Sequence, residues 1–169
     1  MPKTNDFINF WEFLGIPMNS PLAVIKKAYY IKFTEIEKSL DNKESKYTPN
    51  DLIIVNKAYA TLSNPYERYL HNCQIDDEDP GDIRDFDFSG ETEDDLPDSE
   101  NQVFLNWLKH KTEEYFAIAD NKSNIRSLIV WFVERHVFKD IAKGLLENYT
   151  KLQQNIQSKK RQNKRTLHM

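Results

Sequence analysis

The sequence has a single cysteine, four glycines and no apolar run longer than six residues, and each scarcity removes a class of protein. Cys73 alone can neither close an internal disulfide nor supply a thiolate metal cluster, so the composition fits a reducing compartment. Four glycines in 169 residues, beside 39% hydrophobic and 30% charged residues, argue against a turn-rich all-β chain and for an all-α one. The longest apolar run, Leu128 to Val133, is flanked by Arg126 and Glu134 and is far shorter than the roughly 20 residues a spanning helix needs. No membrane partner is therefore expected. Residues 1–6 show neither an apolar signal core nor an Arg-rich transit character. A cytoplasmic protein is the default expectation; a mitochondrial location is left open.

Reactive constellations are also missing. His71, His110, His136 and His168 form no His-x-x-x-His or Glu-x-x-His pair of the kind that holds a metal on one helix face. His136 falls in an apolar stripe, which reads as a core or interface position. Neither a Gly-x-Gly-x-x-Gly nor a Gly-Lys-Ser/Thr phosphate loop occurs, and the acidic middle of the chain does not follow the EF-hand order. The expectation is a non-enzymatic protein with no catalytic residue, metal or cofactor.

What is present is a segregation of charge hidden under a net charge of −4. Residues 1–75 are balanced, with nine Lys/Arg against eight Asp/Glu. Residues 76–100 hold thirteen acidic residues and only Arg84 as a base, together with Pro80, Gly81, Gly90 and Pro97, which reads as a disordered acidic linker. Residues 101–169 reverse the balance, with thirteen basic and six acidic residues. The predicted division is a first domain over 7–75, the linker over 76–100, a helical region over 101–157 and a disordered basic tail over 158–169.

Periodicity places the helices. Residues 9–16, Asn-Phe-Trp-Glu-Phe-Leu-Gly-Ile, read as a short apolar-rich turn of helix that ends at Gly15 and is blocked by Pro17. Ser20 reads as an N-cap with Pro21 at the first helical position, followed by apolar steps at Ala23, Ile25, Ala28, Tyr29, Phe33, Ile36 and Leu40. Thr48-Pro49 starts a second long helix with a stripe at Leu52, Val55, Tyr59 and Leu62, ended by Ser63-Asn64-Pro65, and residues 66–72 form a further short helix. Beyond the linker, Phe104, Trp107, Leu108, Tyr115 and Ile118 predict a helix over 101–119. A long last helix from Asn124 carries Ile125, Leu128, Ile129, Phe132, His136, Ile141, Leu145, Tyr149, Leu152 and Ile156. Trp131 and Phe138 fall on its other face. Two helices offer one interface, so this second face is predicted to be a partner surface or to meet the first domain.

Three motifs in order carry a family resemblance. They are Phe10-Trp11-Glu12-Phe13-Leu14-Gly15-Ile16, then Ile25-Lys26-Lys27-Ala28-Tyr29, then Asn56-Lys57-Ala58-Tyr59-Ala60-Thr61-Leu62-Ser63-Asn64-Pro65 with Glu67-Arg68 behind it. Together they resemble the J domain of the DnaJ co-chaperones. The resemblance implies an antiparallel helical hairpin over about the first two fifths of the chain, and Ala28-Tyr29 and Ala58-Tyr59 give its two stripes matching aromatic and aliphatic residues. It also implies a partner, a DnaK-type chaperone or a true J protein.

In J domains a His-Pro-Asp tripeptide between the two helices stimulates the chaperone ATPase. The family spacing, eight residues beyond Tyr29, falls on Glu37-Lys38-Ser39, so the tripeptide is absent. The basic face that the second helix of the family offers its chaperone is reduced here to Lys26, Lys27 and Lys32, followed by Glu35 and Glu37. The expected function is that of an adaptor or regulator in a chaperone or assembly complex, unable to drive the ATPase. The alternatives are a structural subunit using the hairpin as a packing module, or a nucleic-acid-associated protein using the basic C-terminal half. The tail cluster Lys159, Lys160, Arg161, Lys164 and Arg165 also has the composition of a nuclear-import signal, although short terminal charge runs are ordinarily just solvated.

Overall fold

The computed structural model describes residues 7–42, 44–87, 96–120 and 128–167. Every α-helix or strand among them is a helix: α1 (Phe10–Leu14), α2 (Leu22–Ser39), α3 (Pro49–Leu62), α4 (Pro65–Asp76), α5 (Asp98–Asp120) and α6 (Leu128–Leu167). The protein is all-α. It divides into two compact units, Met1–Leu96 and Pro97–Met169.

In the first unit the caps explain the boundaries. The Asn9 side chain accepts from the Trp11 and Glu12 amides at 3.0 and 3.3 Å, starting α1, and Gly15 ends it at φ 72°, a left-handed conformation that costs glycine nothing. Before α2, the Ser20 hydroxyl does not cap the helix as its residue type suggests; it donates to the Pro17 carbonyl at 2.6 Å, closing the preceding turn. The Pro21 carbonyl takes the first helical bonds from Val24 and Ile25. At α3 the expectation holds, since Thr48 is the N-cap, Pro49 follows it, and the Thr48 amide donates back to Asp51 Oδ2 at 2.7 Å.

The core of this unit lies between α2 and α3. Ile25, Tyr29, Phe33 and Ile36 of α2 and Leu52, Val55 and Leu62 of α3 are fully buried. Tyr29 and Tyr59 stack with ring centroids 4.7 Å apart, so the two Ala-Tyr steps do meet. The Tyr29 hydroxyl donates to Asn56 Oδ1, which lets a phenol and an amide enter the core together.

The acidic segment is not wholly a tether. α4 ends at Asp77 in the left-handed region (φ 53°), and the chain then folds back along it. Tyr69 donates its hydroxyl to the Pro80 carbonyl at 2.9 Å, a single 3₁₀ turn spans Ile83–Asp85, and Phe86 packs against Tyr66 and Tyr69 with centroids at 5.2 and 5.1 Å. An aromatic anchor and backbone bonds offset the self-repulsion there. Residues 88–95 lie outside the described residues.

In the second unit α5 and α6 pair along their apolar stripes, with Leu105, Leu108, Tyr115 and Ala119 buried on one and Ile141, Ala142, Leu145 and Leu152 on the other. α5 begins at Asp98, three positions inside the predicted linker, with Asp98 and Glu100 in its first turn where acidic charge complements the helix dipole. The predicted disordered tail is likewise corrected, because α6 continues to Leu167. Gln, Lys and Arg are good helix formers, and cations in a last turn interact favourably with the dipole. The predicted turn over 120–123 and helix start at Asn124 fall on or beside residues 121–127, outside the described residues.

Candidate functional site

The positions that the resemblance singles out can be followed one by one. Glu37, Lys38 and Ser39 form the last turn of α2, not a loop. Ser39 is bound into the turn that follows: its hydroxyl donates to the Ile36 carbonyl at 2.8 Å and accepts from the Ser45 hydroxyl at 2.9 Å. Ser45 Oγ accepts in turn from the Tyr47 amide at 3.1 Å. Asn42 Oδ1 accepts from the Glu44 amide at 3.0 Å, so serine and asparagine side chains organise the connection to α3.

The three lysines do not assemble into one basic face. Lys27 is exposed, but Lys26 is buried. Lys32 lies 3.4 Å from Glu35, 3.5 Å from the Tyr47 hydroxyl and 6.0 Å from the centre of the Phe13 ring. Tyr47 also donates to Glu35 at 3.3 Å, so Lys32 belongs to a local charge and aromatic cluster between α2 and the following turn. The outward face of α2 carries instead Val24, Tyr30 and Ile31 around Lys27, all exposed.

Of the pair Trp131 and Phe138, predicted to be a partner surface, only Phe138 has a described side chain. This ring is half-buried and lies 6.2 Å from Tyr115 of α5, inside the helical hairpin. The Trp131 side chain falls outside the described residues. Among the described side chains of α6 the large apolar ones left in water are Ile129, Val130, Val133 and Leu146, and His136, expected in an apolar stripe, is exposed. The reason is geometric: Tyr115, Leu108 and Leu105 meet the stripe running through Phe138, Ile141, Leu145 and Leu152, which places Ile129 and Val133 on the far side of the helix.

A cluster that periodicity does not reveal joins α1 to α4. His71 is buried, its Nε2 accepts from the Phe10 amide at 3.0 Å, and its ring stacks on Phe10 at 4.7 Å and lies 5.3 Å from Phe7. An accepting Nε2 requires the proton on Nδ1 and a neutral ring. Next to it, Trp11 Nε1 donates to Asn72 Oδ1 at 2.7 Å, and Asn72 Nδ2 donates to Asn19 Oδ1 at 2.9 Å. Asn19 sits at φ 65°, a conformation that asparagine tolerates better than most residues. The only signal in the sequence was the adjacency His71-Asn72, 61 positions from Phe10-Trp11, and no local period links such distant pairs.

Burial pushes the His71 pKa below its ordinary value. The unfolded ring titrates near about 6.5, so the folded state binds its proton less readily than the unfolded one. His71 therefore contributes its full stability above about pH 6.5, and loses it as pH falls through the lower, folded value. The thermal midpoint of the wild type is expected to fall more between about pH 7.5 and 5.5 than that of His71→Phe. Parallel pH profiles for the two proteins would remove the assignment.

Among the described residues no group of three or more His, Cys, Asp or Glu side chains is placed to hold a metal ion, and no helix is long and apolar enough to cross a membrane. No family model matches the chain, and neither a curated protein nor a solved structure matches it.

Proposed function

We propose that the protein is a non-enzymatic adaptor of the J-domain-like class, which contacts a chaperone or an assembly factor without stimulating an ATPase. The observation that carries this reading is the continuous course of α2 through Glu37, Lys38 and Ser39. Where the resembling family needs an accessible tripeptide, this chain has a helical turn whose serine is tied into the next turn of the backbone. Support for a hairpin of that class comes from the Tyr29–Tyr59 stack, from the sharp start of α3 at Thr48-Pro49, and from the α1 and α4 flanks joined through His71 and Asn72. The dispersal of Lys26, Lys27 and Lys32 supports the same loss, because steering an acidic surface needs like charges on one face. A protein partner would instead read the mixed apolar and basic face of α2 at Val24, Lys27, Tyr30 and Ile31.

The test is a single-turnover ATPase assay with a DnaK-type chaperone. No acceleration is expected, and a several-fold stimulation overturns the reading. Affinity capture of the tagged full chain from its own cells is expected to recover a chaperone or J protein with the wild type, and less of it with Ile31→Asp. Recovery of a large assembly without either factor, unaffected by Ile31→Asp, favours the packing-module alternative.

A further inference from the structure

We infer that the last third of α6 is a docking site for the phosphate backbone of nucleic acid, read without regard to base sequence. Leu152 is the last buried side chain described on α6, yet the helix continues to Leu167, which at 1.5 Å per residue adds about 22 Å of rod. After Glu147 the sequence contains no acidic residue, and this stretch carries Lys151, Lys159, Lys160, Arg161, Lys164 and Arg165. Lys160 and Arg161 are exposed.

Helical geometry distinguishes between polyanions. At about 100° per residue, positions 159, 160, 161, 164 and 165 are spread over most of the helix circumference, and the residues between them are Gln162 and Asn163. A helix that lies on a lipid surface needs an apolar face opposite its cations. From Gln157 to Thr166 this helix has none. Cations on several sides of a narrow rod suit a groove or strand whose phosphates approach from more than one direction, and a duplex offers about one charge per 1.7 Å along its axis.

The whole chain is acidic, with a net charge of −4, so attraction must be local. It can be: charges more than about 8 Å apart are largely screened at physiological ionic strength, and a dense cluster at the end of a rod dominates its own surroundings. Helicity matters here because a preformed rod binds without the ordering cost that a disordered basic tail incurs on association. This inference rests on α6 alone and is independent of the adaptor reading of the first unit.

The experiment measures fluorescence anisotropy of a short labelled DNA duplex and of a single-stranded RNA of equal length. Both are titrated with the full chain at several salt concentrations, beside vesicles containing phosphatidylserine. Binding at low salt is expected, with a log–log salt slope for the duplex of up to about −4.5 if five phosphates are neutralised. The variant with Lys159, Lys160, Arg161, Lys164 and Arg165 all changed to Gln should weaken binding by at least about tenfold. Glutamine keeps the helix propensity of the residues it replaces, and these positions follow Leu152, the last buried side chain described on α6, so an unchanged circular dichroism melt shows that the variant is folded. Absence of salt-dependent binding at low salt overturns the inference. So does equal binding by the variant, or binding to the vesicles without binding to either nucleic acid.

Discussion

Replacing Tyr29 with alanine is expected to destabilise the first unit by about 3–5 kcal/mol, the range for removing a large, fully buried ring. Three losses combine. The ring is 0% exposed and stacks on Tyr59 at 4.7 Å, and its edge meets Phe33 at 6.1 Å, so the cavity would be bordered by aromatic surfaces that cannot readily collapse into it. The hydroxyl also serves Asn56, a side chain only 3% exposed, and a buried amide deprived of a donor costs about 1–3 kcal/mol. Tyr29→Phe separates these parts, since it keeps the ring and removes the hydroxyl, and should cost about 1–2 kcal/mol. Denaturant unfolding followed by hydrogen exchange in α2 and α3 measures both. A Tyr29→Ala cost below that of Tyr29→Phe would refute the packing account.

The second large effect is expected in the other unit. Leu145→Ala should cost about 2–5 kcal/mol, because Leu145 is fully buried on the α6 stripe that faces α5. Its neighbour Leu146 is the internal control. Leu146 is 42% exposed and keeps much of its surface in water, so Leu146→Ala should cost about 1 kcal/mol or less. Two adjacent leucines with costs several-fold apart would establish the register of α6 in solution. Comparable costs would mean that the helix is rotated about its axis relative to the structure described. Because the chain divides into two units, unfolding is best followed by exchange within α5 and α6 and not by one global signal.

Local chemistry in the sequence was enough to set the class and most boundaries. Gly15 after Leu14 and Thr48-Pro49 before a stripe act within one turn of helix, on the backbone beside them, and need no distant partner. The same holds for the apolar spacing of α2, α3 and α5, since period 3.6 is a property of the helix itself. Which of two apolar faces is buried is a different question, answered by the neighbour. α6 has apolar residues on more than one side of its first half, and only the pairing with α5 turned Phe138 toward Tyr115 and left Ile129 and Val133 in water. Burial of Lys26, the return of Phe86 onto α4, and the engagement of His71 by Phe10 are likewise tertiary facts, each joining residues with no common period. The length of α6 was misjudged from sequence for the opposite reason. Its last turns have polar composition and no apolar stripe to announce them, yet their glutamines, lysines and arginines have helix propensity enough to continue a helix already nucleated by its core.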